Sequence, residues 1–290
     1  MAINGLQRIA DTDFVFPAER IHRSFMEAAA FRPWGQIMSQ PISSVLLEVD
    51  SVNKHFGGLH AVKQVSMRIH RGEIVGILGP NGAGKTTLFN MLTNFIPPDN
   101  GRVVFNGQSL LGVKPHKIVT LGIARTFQLC RPFVGLSVLE NVLVGSLGPR
   151  VRHDGLGERA MQLLNQVGLE AKAHTPAELL SYGDLRRLEI ARALAAEPEL
   201  LLLDEPFAGL GSSEIEAISA LIRQLHAEKQ LTILLIEHKL REFMQLVSRV
   251  IALDFGEVIA EGSPADIVAH PRVIEAYIGK QTPMAVDHAT

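Results

Sequence analysis

Hydrophobic and polar residues alternate from Val45 onward: Leu47 and Val49 take turns with Glu48 and Asp50, and Val65, Met67 and Ile69 with Ser66, Arg68 and His70. A period of two belongs to a strand with one face buried, and it predicts antiparallel strands here. A third such strand, 102–105, is bracketed by the turn formers Asp99-Asn100-Gly101 and Asn106-Gly107. The stretches Ile74–Leu78, 200–203 and Thr232–Ile236 are apolar without interruption, as parallel strands covered on both faces are. Helical periods separate them. Between about 129 and 190 the pattern predicts a helical insertion, with helices near Val138–Gly145 and 158–167, the second carrying Met161, Leu164 and Val167 before a Gly168 stop. Together these predict an α/β fold: a mostly parallel sheet, an antiparallel β subdomain and a helical insertion.

The first 44 residues differ. They carry Pro17, Pro33, Pro41 and Trp34 and no sustained period beyond a helix-compatible run at 19–30. Residues 1–44 therefore read as an extension, disordered or untranslated, with 1–37 dispensable and Met38 an alternative start. The competing reading makes 19–30 a helix that docks on a partner, with Phe14, Phe16, Phe25 and Trp34 as anchors. Residues 281–290 read as a tail.

Composition narrows the function. With 28 Lys+Arg against 30 Asp+Glu, a formal charge of −2 and 47% hydrophobic residues, the chain reads as a globular protein without the basic surface that nucleic-acid binding needs. The lone Cys130 cannot form an internal disulfide and no Cys/His cluster has zinc spacing, which fits a reducing cytoplasm. Every apolar run falls short of the ~18 residues that span a bilayer, and the N-terminus lacks a signal-peptide core. Membrane association is thus expected only through a partner.

The chemistry concentrates after Ile74–Leu78. Gly79, Pro80, Asn81, Gly82, Ala83, Gly84, Lys85, Thr86 and Thr87 match G-x-x-x-x-G-K-[ST] between a buried strand and a helical pattern. Glycines let successive N–H groups converge on phosphate oxygens at a helix N-terminus, Lys85 reaches the β/γ-phosphates, and the Thr86 hydroxyl suits Mg²⁺. A second apolar strand ends in Asp204 and Glu205. Asp204 is expected in the Mg²⁺ shell and Glu205 as the base that polarises the attacking water, although such acids also serve as helix caps. His238 lies just past the third apolar strand, placed to donate to a γ-phosphate. Leu185, Leu188, Ala191, Leu194 and Ala195 recur at helical spacing, which puts Ser181 to Gly183 at a helix N-terminus, a second anion cradle.

On these motifs, in this order and with Gln128 between them, residues 45–280 resemble the nucleotide-binding subunits of ABC transporters. The resemblance implies a P-loop ATPase core using ATP and Mg²⁺, with two subunits sandwiching two ATP head to tail. Ser181 and Gly183 would then touch the γ-phosphate held by the other subunit's 79–87 loop. It further implies that Gln128 joins Thr86 and Asp204 around Mg²⁺, acts with Glu205 and His238 in hydrolysis, and links the site to a helical insertion that receives two membrane permease subunits. A solute-binding protein would act through those permeases. Phe56 falls where the family places an aromatic ring against adenine; simple packing is its other reading.

The wording narrows further. Phe56-Gly-Gly-Leu59-His-Ala-Val62, Gly122-Ile-Ala-Arg125-Thr-Phe-Gln128, Leu180-Ser-Tyr-Gly-Asp184, Ile236-Glu-His238, and the tail Gly256-Glu-Val-Ile-Ala-Glu-Gly262 with Val273-Ile-Glu-Ala-Tyr-Ile-Gly279 are similar to branched-chain amino acid importer ATPases. The implied protein is an ATPase, peripheral on the cytoplasmic face of the inner membrane. Alternatives are ATPases of urea, amide or lipopolysaccharide transporters, or a soluble ABC ATPase outside transport. Tyr182 and Asp184 depart from the common L-S-G-G-Q signature, and Gly211 stands where many relatives carry aspartate.

Overall fold

The computed structural model describes residues 45–152 and 154–278. The 1–44 extension with its 19–30 run, residues 279–280 and the 281–290 tail lie outside the described residues. Strands β1 (Val45–Phe56), β2 (Leu59–His70), β4 (Asn100–Phe105) and β5 (Gln108–Ser109) form an antiparallel sheet in the order β2-β1-β4-β5. A second sheet has the order β10-β9-β3-β8-β7-β6, built from β3 (Ile74–Leu78), β6 (Ile123–Arg125), β7 (Leu200–Asp204), β8 (Thr232–Ile236), β9 (Arg249–Asp254) and β10 (Glu257–Gly262). Its neighbours pair in parallel except β10, which turns back on β9.

The three uninterrupted apolar runs are the central strands β3, β7 and β8, buried at every position. Their side chains point alternately to two cores. Ile74, Leu78, Leu201, Leu203, Ile233 and Leu235 share one core with α5 (Tyr182–Leu194), α6 (Ser212–Lys229) and α7 (Leu240–Leu246). Val75, Ile77, Leu200, Leu202, Leu234 and Ile236 face the other, which holds Leu47, Val49 and Phe105 of the antiparallel sheet. Helix α1 (Lys85–Leu92) lies in that second core with Leu88, Phe89, Met91 and Leu92 fully buried. The phosphate-loop helix is thus clamped between two sheets.

Alternation in β1 holds for Leu47 and Val49, but Leu46 is buried too, and the register with β2 shifts at three further places along the strand. Bulges of this kind add a residue to one strand and move burial to the opposite parity. The stretch read as an insertion holds α3 (Val138–Gly145), α4 (Leu156–Gln166) and the start of α5, which runs on to Leu194. A reciprocal Ser137–Glu140 capping box starts α3. Helix α2 (Pro115–Leu121) precedes β6, and α8 (Pro264–Val268) and α9 (Pro271–Ile278) follow β10. No helix among the described residues is long and apolar enough to cross a membrane.

The β9–β10 hairpin turns on Phe255 (φ 43°) and Gly256 (φ 84°). Two positive φ values make a turn that favours Asn-Gly, and a left-handed Phe carries steric strain. Phe255 is 76% exposed, so its ring gains little packing in return. Phe255→Asn is expected to stabilise the isolated subunit by about 1 kcal/mol; an unchanged or lowered denaturation midpoint contradicts that strain.

Candidate functional site

Sheet register brings three loops together. Ile236 of β8 pairs with Ile77 of β3 and with Asp204 of β7. Residues just beyond these pairs, Gly79 to Thr87, Glu205 and His238, therefore emerge side by side at the carboxyl ends of adjacent strands, where open α/β sheets bind ligands.

The 79–87 loop is shaped by crowding. At Gly84 (φ 96°) a Cβ would fall 2.4 Å from the Ala61 carbonyl oxygen, so only glycine fits both the backbone angle and the space. Gly84 caps α1 without a side-chain hydrogen bond, which leaves the first amides of that helix directed at the loop. Lys85 is buried, and its Nζ donates to Gly79 O at 2.6 Å and Pro80 O at 2.9 Å. Desolvation lowers its pKa, against the raising pull of Glu205 and Asp204.

Asp204 is 2% exposed. Its Oδ2 accepts from Arg125 Nη2 at 2.7 Å, while its Oδ1 is buried with no hydrogen-bond partner among the described residues. A buried carboxylate oxygen left unmatched is costly, and such an oxygen suits a hydrated divalent cation.

Glu205 has φ 49°, rare for a residue with a side chain. Its N–H donates to Ile236 O at 3.0 Å, which pins the left-handed turn. That turn leaves Glu205 Oε1 3.1 Å from His238 Nε2 and Oε2 accepting from Gln128 Nε2 at 3.0 Å. Strain concentrated on one carboxylate between two polar partners is a mark of a working residue. Burial, together with the Lys85 charge, lowers the His238 pKa, so the ring is neutral at pH 7 despite Glu205. Glu237 orders the same corner: its carboxylate accepts from the N–H groups of Phe207, His238 and Lys239. Burial raises its pKa.

Gln128 is held from α5. Arg186 Nη1 donates to Phe127 O at 2.8 Å, Arg186 Nη2 donates to Gln128 O, and Glu189 Oε1 accepts from Phe127 N at 2.8 Å. Burial pushes the Cys130 thiol up to about 12, and it donates to Glu189 Oε2 at 3.3 Å. At the start of the same helix Ser181 is the N-cap, its Oγ accepting from Asp184 N at 3.2 Å. Gly183 is buried against α6, where a Cβ would meet Glu214 Oε1 at 2.2 Å.

The expected residues thus divide. Lys85, Asp204, Glu205, Gln128 and His238 form one cluster with the 79–87 loop. Ser181 and Gly183 do not join it: no hydrogen bond among the described residues links them to the loop, Glu205 or His238. Phe56 also stands apart at the tip of β1, 45% exposed, with Lys54 Nζ 5.7 Å from its ring centroid. Arg125 and Glu237 are polar neighbours of the cluster that sequence reasoning did not single out. The signal for Glu237 was its place one residue before His238; Arg125 pairs with Asp204 across two adjacent strands.

Known proteins fit this geometry. The profile of the ABC transporter family matches residues 62–208, and that of the branched-chain amino acid ATP-binding cassette transporter family matches 257–281. The high-affinity branched-chain amino acid transport ATP-binding protein LivG of Escherichia coli is 40% identical over 84% of this chain and its own whole length. The corresponding protein BraF of Pseudomonas aeruginosa is 38% identical with the same coverage. The crystal structure of an ATP-binding cassette of an ABC transporter in its ADP conformation superposes with TM-score 0.75 at 31% identity, covering 82% of this chain and all of that one. A dimeric cassette bound to ADP and Pi gives 0.69 at 29% identity, covering 76% of this chain and 99% of that one.

Proposed function

The chain belongs to the ATP-binding subunits of ABC transporters, and from that premise we propose that it powers uptake of branched-chain amino acids with the cluster around Lys85 and Glu205 as its ATPase site. The observation that carries the site assignment is Glu205, left-handed in its backbone, with its carboxylate held between Gln128 and His238 beside the phosphate loop.

The 79–87 loop cradles the ATP phosphates through its amides and Lys85. Thr86, Asp204 and Gln128 would hold Mg²⁺, which supplies charge neutralisation for the β- and γ-phosphates. Glu205 accepts the proton of the attacking water and aligns it, and His238, whose single N–H is held on Glu205 at Nε2, would turn that N–H to the γ-phosphate once ATP is bound. Ser181 and Gly183 complete the site of a second cassette docked head to tail, which accounts for the lack of a hydrogen bond between them and their own loop among the described residues. The dimeric relative supports that pairing.

Phe127, the residue before Gln128, lines a groove of about 420 Å³ together with Phe95, Ile118, Phe133, Val144 and Arg192. This groove receives a permease subunit, and Arg186 of α5, which donates to Phe127 O and Gln128 O, links it to the helix that Ser181 caps. The subunit thereby sits at the cytoplasmic face of the inner membrane, and a solute-binding protein reaches it only through the permeases. Relatives named for branched-chain amino acid transport support that cargo.

Two measurements test the reading. In the reconstituted transporter, binding protein loaded with leucine, isoleucine or valine is expected to stimulate ATP hydrolysis; stimulation by urea or an amide instead reassigns the cargo. Phe56→Ala is expected to weaken ATP binding, with Phe56→Tyr near wild type, because stacking on a base contributes about 1–3 kcal/mol. Equal affinities would make Phe56 a packing residue.

A further inference from the structure

The C-terminal motif Val273-Ile-Glu-Ala-Tyr277 has no part in the chemistry above, yet it reaches the site. Val273 and Tyr277 are four residues apart and share one face of α9. Val273 is fully buried, and Tyr277 packs against the same core. The Tyr277 hydroxyl oxygen accepts a hydrogen bond from Gly79 N–H at 2.9 Å, across 198 residues of sequence. Gly79 opens the phosphate loop and is closely boxed: a Cβ there would lie 2.4 Å from Leu253 O and 2.9 Å from the Ala83 Cβ. Its own carbonyl accepts from Lys85 Nζ at 2.6 Å. The backbone of Gly79 is therefore held on its N–H side by α9 and on its C=O side by the lysine of the loop. Burial raises the Tyr277 pKa well above the ordinary phenol range, so the contact is made by a neutral hydroxyl.

We propose that Tyr277 is a positioning residue of the phosphate loop, through which α9 holds Gly79 in the arrangement that binds ATP. The inference rests on reading 79–87 as the ATP cradle. A buried N–H deprived of its acceptor drives the backbone toward arrangements in which it finds another partner. Apparent affinity then falls in proportion to the fraction of molecules that keep the binding arrangement. Once ATP fills the loop, the chemistry proceeds as before.

Tyr277→Phe removes the hydroxyl and keeps the ring. It is expected to raise the Kd for ATP in the isolated subunit, and KM in the assembled transporter, about three- to tenfold, with kcat at saturating ATP unchanged. A purely structural role lowers the melting temperature of Tyr277→Phe and leaves Kd and KM where they were, and that result overturns the proposal. A second measurement uses the wild-type protein alone. Coupling is reciprocal, so a nonhydrolysable ATP analogue is expected to slow amide exchange over 273–277, and unchanged exchange also overturns the proposal. Lys85→Ala, titrated in parallel, separates the two claims. ATP binding that depends on Lys85 but not on Tyr277 defeats only the positioning role, whereas a wild-type subunit that fails to bind ATP defeats the ATP reading and this inference with it.

Discussion

Glu205→Gln is expected to bind ATP and scarcely hydrolyse it. The substitution keeps the length and shape of the side chain, and the amide still offers an oxygen and a nitrogen to Gln128 and His238, which now contact the two carboxylate oxygens at 3.0 and 3.1 Å. The left-handed turn at residue 205 is held by its own N–H on Ile236 O and is untouched. What disappears is a group able to take a proton from water, and a general base contributes about 10²- to 10⁴-fold to rate. Turnover of the assembled complex should fall by that factor while nucleotide titration shows affinity at least equal to wild type, since one negative charge beside the phosphates is gone. Near-normal hydrolysis would remove Glu205 from the base role and shift attention to His238, the other group in hydrogen-bond reach. His238 is a weak alternative, because burial and the Lys85 charge both lower its pKa.

Much of this was readable in the chain because the informative residues are local. The loop 79–87 is a contiguous run whose glycines and lysine have positions fixed by backbone sterics, and the three apolar strands announce themselves by composition. Helix α3 was expected and found over Val138–Gly145, since the Ser137 cap and the apolar period agree. Strand order is another matter. That β3 lies between β8 and β9, rather than beside β7, is decided by packing across the whole sheet, and with it the pairing of Arg125 with Asp204. Strand β6 is three residues long, too short to show a period, and β9 carries its signal in the apolar Val250 to Leu253 before a turn that Phe255 disguises. Contacts such as Gly79 with Tyr277 join residues with no sequence relation. Helix α5 is the converse case: its cap was legible, but among the described residues Ser181 and Gly183 have no hydrogen bond to their own chain's cluster, and the head-to-tail proposal assigns their chemistry to a second molecule.

That separation yields the sharpest contrast, between Lys85→Ala and Ser181→Ala. Lys85 is buried among carbonyl oxygens with the charges of Asp204 and Glu205 nearby. Taking the ammonium away leaves two carboxylates facing incoming phosphates with less positive charge to offset them. A hydrogen bond to a charged group contributes about 1.5–3 kcal/mol, so the isolated subunit should bind ATP roughly ten- to a hundredfold more weakly. Ser181 makes no hydrogen bond to these residues; its Oγ accepts from Asp184 N, and its hydroxyl also bonds the Asp184 carboxylate. Ser181→Ala should leave ATP affinity of the isolated subunit unchanged, cost about 1 kcal/mol of stability through the lost cap, and reduce turnover of the dimeric assembly about 10²- to 10³-fold through the missing donor to the γ-phosphate. Ser181→Thr keeps both the cap and the hydroxyl and should restore most of the turnover, which separates the chemical loss from the structural one. Equal weakening of ATP binding by Lys85→Ala and Ser181→Ala in the isolated subunit would place both residues in one chain's site and overturn the head-to-tail arrangement.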